Sequence, residues 1–255
     1  MIPRNERGIP ARYINSPSTQ ARHQAKLFSM LDWIYRHGFT SPAVLMFLWG
    51  LDRSVVNKLL RRYEREEVIA EIATFACRDK RVFVLKPKGL RLLEDFHSED
   101  LKYNMKKSTI PVRTLTHDLM AQAVVAINVN KGKCVFFITE REQEKDTLGK
   151  RRRFDAIIFN GSEFIAIEVE ASAKQIPNRL DILRRYRTAI IEEQRVQTIL
   201  LCSHSNRLLR DAERIHNKLF AKQENKLDKE FFNEHVKYVY NKETMSNLRQ
   251  HFWLS

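Results

Sequence analysis

With 255 residues, a mass of 30.2 kDa and 43% hydrophobic side chains, the chain can bury one large core or two modest ones. Only seven glycines and seven prolines, with no low-complexity tract or internal repeat, exclude a linker-rich or solenoid design. A formal charge of +14 and a pI near 9.8 favour a polyanionic partner, nucleic acid first and an anionic membrane surface second. The longest uncharged apolar run, Ala43 to Leu51, is too short to span a bilayer, and the opening MIPRNERGIPARY lacks an apolar signal core, so no membrane insertion is expected. Cys77, Cys134 and Cys202 are odd in number and widely spaced, which fits neither a zinc ribbon nor a disulfide framework and points to a reduced cytoplasm.

Residues 1–24 read as a basic arm and 25–100 as a first domain. From Ala25 to Arg36, Leu27, Phe28, Leu31, Ile34 and Tyr35 recur at helical spacing, and Gly38 stops the pattern. Ser41-Pro42 is an N-cap followed by proline at the first helical position, opening a second helix that runs to about Trp49. Asp52 caps a third, expected to bury Val55, Val56, Leu59 and Leu60 and to present Arg53, Ser54, Asn57, Lys58, Arg61 and Arg62. EVIAEIATFA and RVFVLK read as two strands joined by the basic turn Arg78-Asp79-Lys80-Arg81, and Pro87 opens a helix through Leu93.

Three helices, a two-stranded wing and a closing helix describe a winged helix-turn-helix, and VFVLKPKGLRLLE resembles the wing-to-helix exit of that superfamily. In such modules the third helix enters the major groove and the wing meets phosphate. Asn57 suits adenine and Arg53 or Arg61 guanine, with Arg78, Lys80 and Arg81 on the wing. The alternatives are a solvated helix face and a wing that mediates protein contacts or dimerisation.

After a basic linker near Lys102 to Lys107, residues 110–255 read as a second domain. A helix from about Thr116 to Asn128 carries Leu119, Ala123, Val124 and Ile127 on one face, with Asp118 in its first turn. A strand from Cys134 to Thr139, a charged loop from Glu140 to Lys150, a hairpin over 151–174, a helix from about Asn178 to Gln194 and a strand from Gln197 to Cys202 follow. Beyond Phe220, KQENKLDKEFFNEH is helical in character and VKYVY reads as an edge strand.

The hairpin RRRFDAIIFNGSEFIAIEVEASAK carries the chemistry. Asn160-Gly161 is the pair preferred by a two-residue type I′ loop, which predicts Phe159 opposite Ser162 and Asp155 opposite Ala166. Period-two alternation then sets Asp155, Glu168 and Glu170 on one face and Phe154, Ala156, Ile158, Ile165, Ile167 and Val169 on the other, expected as core. In this register Asp155 and Glu168 are diagonal neighbours about 7–8 Å apart, within reach of one ion between them. Oxygen-rich sites of this kind suit Mg²⁺ or Mn²⁺. A hairpin with a solvated acidic edge is the plain alternative, but Ile157, Phe159, Phe164 and Ala166 make the acidic side apolar too, and buried carboxylates need a compensating cation.

The order helix, three strands, helix, strand, with Asp155 on the second strand and Glu168-x-Glu170 on the third, resembles the core of the PD-(D/E)XK, or restriction-endonuclease-like, nucleases. The expected fold is therefore α+β or α/β: an N-terminal winged helix-turn-helix followed by a restriction-endonuclease-like αβββαβ domain with a mixed central sheet. A winged helix, then Thr116-His117-Asp118-Leu119, Arg153-Phe154-Asp155-Ala156 and Glu168-Val169-Glu170, is similar to the replication-relaxation proteins and the MOBC-type plasmid mobilisation relaxases. That resemblance implies a strand-specific DNA nickase acting at a plasmid transfer origin in the bacterial cytoplasm, with an accessory mobilisation protein and a type IV coupling protein as partners. It makes Asp155 and Glu168 metal ligands, offers Asp118 as a further acid, and leaves Glu170 where a catalytic lysine is usual. A glutamate there binds metal or acts as base, and Lys174 is the candidate to return the ammonium.

A covalent route through Tyr186 is the mechanistic alternative. The eight histidines, His117 and His204 among them, are scattered without a His-x-His cluster. A non-catalytic replication or transcription regulator and a double-strand restriction or transposon-end nuclease are the rival functions.

Overall fold

The computed structural model describes residues 18–75, 77–103, 110, 112–143 and 152–240. The basic arm up to residue 17, most of the expected linker, the loop over 144–151 and the segment from 241 onward lie outside the described residues. The chain is α+β, with eight α-helices and a mixed five-stranded sheet among the described residues, and it divides into two compact units between Phe136 and Phe137.

In the first unit, α1 (Thr19–His37) is capped by the Ser18 hydroxyl, which accepts from the Ala21 amide, and closed by Gly38 at φ 91°. Ser41 caps α2 (Pro42–Trp49) in the same way, and Gly50 ends it in the left-handed conformation. α3 (Arg53–Arg65) starts after Asp52, whose side chain makes no capping hydrogen bond, contrary to the expected cap. It buries Val56, Leu60 and Tyr63, whereas Val55, expected inside, is 39% exposed because it stands a quarter-turn off that row.

β1 (Ile69–Ala73) and β2 (Arg81–Leu85) pair antiparallel from Ile69↔Leu85 to Ala73↔Arg81. Thr40 adds a one-residue bridge, exchanging hydrogen bonds of 3.1 and 2.8 Å with Phe83. α4 (Pro87–His97) returns beneath the hairpin through Gly89, where a Cβ would lie 2.2 Å from the Val68 carbonyl oxygen. Gly89→Ala is therefore expected to cost about 1–3 kcal/mol by overpacking, read as a lower denaturant midpoint.

α5 (Leu115–Asn130) belongs to this unit and packs on α2: Asn130 donates to the Leu48 carbonyl at 3.2 Å, and Gln122 accepts from the Trp33 indole of α1 at 3.1 Å. This helix was expected to open the second domain. Its buried set, including Leu119, Met120, Ala123, Val125 and Ala126, extends well around its circumference, so the sequence pattern did not show which neighbour it meets.

The second unit is built on a sheet in the order β3-β4-β5-β6-β7. Its strands are β3 (Phe136–Thr139), β4 (Ala156–Phe159), β5 (Phe164–Val169), β6 (Thr198–Cys202) and β7 (Val236–Val239). β4 and β5 are antiparallel, while β5, β6 and β7 run parallel. α6 (Ile176–Arg187), continued by a π turn over Thr188–Glu192, makes the β5–β6 crossover, and α7 (Asn206–Phe220) and α8 (Lys229–His235) lead into β7. Ile157 and Ala166, on the face that carries the acids, join Leu183, Tyr186, Leu209, Leu219 and Val236 in one core. Ala156, Ile158, Ile165, Ile167 and Val169 are buried as well, so both faces of the hairpin are covered.

His216 of α7 is wholly buried with Nδ1 against the Tyr238 hydroxyl, and burial first, then the charges of Arg179 and Lys174, push it down to about 3. An unfolded histidine, with its ordinary value of 6.5, takes up a proton that the folded one refuses. Stability is therefore lost as pH falls from about 6.5 toward about 3, with a slope near 1.4 kcal/mol per unit from this group. His216→Gln should flatten the acid limb of a stability-versus-pH series relative to the native chain.

Candidate functional site

The hairpin differs from its expected register by two residues. Phe159 pairs with Phe164 and Ala156 with Ile167, so the loop has four residues, Asn160 to Glu163, instead of two. The cause is the Asn160 side chain, whose Oδ1 accepts from the Ser162 amide, the Ser162 hydroxyl and the Glu163 amide at 2.9 Å each, holding a wider turn through Gly161 at φ 103°. A displacement of two preserves side-chain parity, so Asp155, Glu168 and Glu170 still share a face. Asp155 now stands opposite Glu168 and not diagonal to it, and its Oδ2 accepts from the Val169 amide at 2.6 Å.

The acids gather where β4 begins and the parallel strands β5 and β6 end, the edge of an open sheet where ligand sites concentrate. They are not a solvated edge: Glu168 is 2% and Glu170 1% exposed. Burial first, then the charge of Asp155, pushes Glu168 up to about 7, while Arg152 and Lys174 pull the other way.

The cation that buried carboxylates require is supplied by side chains. Arg152 grips Glu168 bidentately at 2.8 and 2.6 Å. Glu170 accepts from Lys174 Nζ at 2.7 Å and Arg179 Nη2 at 2.8 Å. Its backbone is pinned to the end of β6, with its amide on the Cys202 carbonyl at 2.7 Å and its carbonyl on the Ser203 hydroxyl at 2.6 Å. Lys174 therefore reaches the position of Glu170, as its spacing suggested. Arg152 and Arg179 are additions; Arg152 lay in the run 151–153 with nothing to single it out, and Arg179 gave no signal at all.

Among the described residues no three His, Cys, Asp or Glu side chains converge in a group arranged to hold a metal. In donor chemistry Asp155 and Glu168 fit a hard divalent cation, since they are facing carboxylates on adjacent strands. Holding one requires Arg152 to turn aside, and its side chain is 24% exposed where that of Arg179 is 2%. Glu170 is the poorer ligand, since both its oxygens are engaged.

Asp118 lies in the first unit, accepting from the Thr114 hydroxyl at 2.9 Å and facing His117 Nδ1 at 3.3 Å. Tyr186 is fully buried, its ring stacked on Phe154 and lying 5.9 Å from the Arg152 guanidinium, and burial raises its phenol well above the ordinary range. A phosphodiester has no path to it in this structure. His204 is likewise buried.

In the first unit, Ser54, Lys58, Arg61 and Arg65 are exposed at helical spacing and form one outward stripe on α3. Lys58 and Arg61 make no ion pair among the described residues. Arg65 was missed, although its place four residues after Arg61 marks it. Four other candidates, Arg53, Asn57, Arg62 and Arg81, are engaged within the unit. Arg53 pairs with Asp79, Arg81 bridges Glu71 and Asn57 at 2.8 Å each, and Arg62 bonds Glu66 at 2.7 Å. Arg78 and Lys80 are exposed on the loop between β1 and β2. Compared with protein-family models, curated proteins and solved structures, the chain matches none of them.

Proposed function

We propose that this chain is a DNA-binding endonuclease, with a winged helix in the first unit and a nuclease-like centre in the second. The observation that carries the reading is the facing pair Asp155 and Glu168, with the Lys174 ammonium held beside it on the same face by Glu170. This is the acid, acid and cation set that phosphodiester cleavage needs, reached here through a glutamate that anchors a lysine from the following loop.

A divalent ion held by Asp155 and Glu168 would supply an activated water and charge stabilisation. Glu170 fixes Lys174, and Lys174, 29% exposed, offers its ammonium to the phosphate as negative charge develops. Arg179 closes the inner side of the network, its Nη2 on Glu170 at 2.8 Å. Nicking at a plasmid transfer origin is the activity that the sequence resemblance implies.

For DNA binding, the stripe Ser54, Lys58, Arg61 and Arg65 faces outward as a recognition helix must, while Arg53, Asn57 and Arg81 brace helix to wing instead of reading bases. Lys58→Ala and Arg61→Ala should each weaken duplex binding and lower the slope of log affinity against log salt by about 1 if the group meets phosphate, measured by fluorescence anisotropy.

A second reading, a DNA-binding regulator without catalysis, is favoured by the bidentate hold of Arg152 on Glu168. Supercoiled plasmid carrying a transfer origin, incubated in Mn²⁺ and in EDTA, separates the two. Open circles that require Mn²⁺ support the endonuclease; binding without any strand cut leaves the regulator.

A further inference from the structure

We propose that Phe75, at the tip of the hairpin between β1 and β2, is a wedge inserted between base pairs from the minor groove, kinking the duplex around the first unit. The inference rests on the DNA-binding reading. Phe75 is 88% exposed, more than any other large apolar side chain among the described residues. Its loop is a closed turn: the Thr74 amide donates to the Lys80 carbonyl at 2.9 Å and the Lys80 amide to the Cys77 carbonyl at 3.0 Å. Cys77 points inward, 0% exposed, with its Sγ on the Arg81 carbonyl at 3.6 Å. The turn thus buries one apolar side chain and presents the other.

The flanking chemistry selects the partner. Arg78 and Lys80 are exposed on the same loop, so an approaching surface must accept an aromatic ring ringed by positive charge. A minor groove offers both phosphates and an unstackable base step, and apolar wedges between such steps are an established way of bending DNA. The hairpin is also braced to α3 by Arg53 with Asp79 and by Arg81 with Asn57. The ring is held at a fixed distance from the helix stripe, so both engage one duplex together.

The test uses the full chain and an end-labelled duplex chosen from a random pool by the native protein, with bending read by end-to-end energy transfer. Phe75→Ala should return the end-to-end distance to that of free DNA and weaken binding about tenfold or more, without changing the salt slope, since a wedge releases no counterion. Phe75→Leu, which keeps an apolar wedge, should retain most of the bend. Asp79→Ala, which loosens the brace, should broaden the distribution of bend angles. Bending by Phe75→Ala equal to that of the native chain overturns the wedge, as does a straight duplex at saturation with native protein. Failure of the native chain to bind any duplex overturns the DNA-binding reading itself.

Discussion

Asp155→Asn should lower Mn²⁺-dependent nicking of supercoiled plasmid by about 10³-fold or more, while duplex affinity stays within about twofold of native. The size follows from losing one of two carboxylates that would hold a divalent ion, whose stabilisation of the transition state is several kcal/mol at about 1.36 kcal/mol per tenfold. Asparagine is the informative replacement because it can still accept from the Val169 amide at the place where Asp155 Oδ2 does so, leaving the hairpin intact. Duplex affinity is expected to hold because the α3 stripe lies in the other unit. Glu168→Gln should cost as much activity, and Tyr186→Phe should cost none. Undiminished nicking by Asp155→Asn would remove the endonuclease proposal.

The second large effect is on stability. Arg179→Ala should destabilise the second unit by about 3–5 kcal/mol, because it leaves Glu170, 1% exposed, without its buried partner. Lys174→Ala should cost less than Arg179→Ala, since the Lys174 side chain is 29% exposed and Arg179 still holds Glu170. Activity should behave in the opposite sense, with Lys174→Ala folded and inactive. Hydrogen exchange of the β5 and β6 amides measures the unit directly. Equal stability losses in the two variants would show that the pairs do not differ as their burial indicates.

The helices of the first unit were legible because their punctuation is local. Ser41-Pro42 and Gly38 act through their own backbone and nearest hydrogen bonds, and each stands where the pattern put it. The shared face of the three acids was legible for a similar reason, since parity survives an error of two residues in register. The register itself was not, because Asn-Gly serves both a two-residue loop and the side-chain-bonded turn found here, and the choice lies in the three bonds to Asn160 Oδ1.

Least legible were the partners of the charges. The need for a cation at Glu168 and Glu170 followed from burial, but that Arg152 and Arg179 meet it depends on long-range packing that no spacing encodes. The same holds for Asn57 and Arg53, whose residue types suit base recognition yet are spent within the fold.

The pairing of Glu168 with Arg152, and of Glu170 with Lys174 and Arg179, has an effect at a distance. Exposed acids would repel a polyanion, yet here Glu168 and Glu170 are each held by a cation within hydrogen-bonding range, in a chain whose net charge is +14. If the proposed DNA binding holds, encounter would be steered by that net positive charge, and its rate should fall steeply as salt screens the attraction.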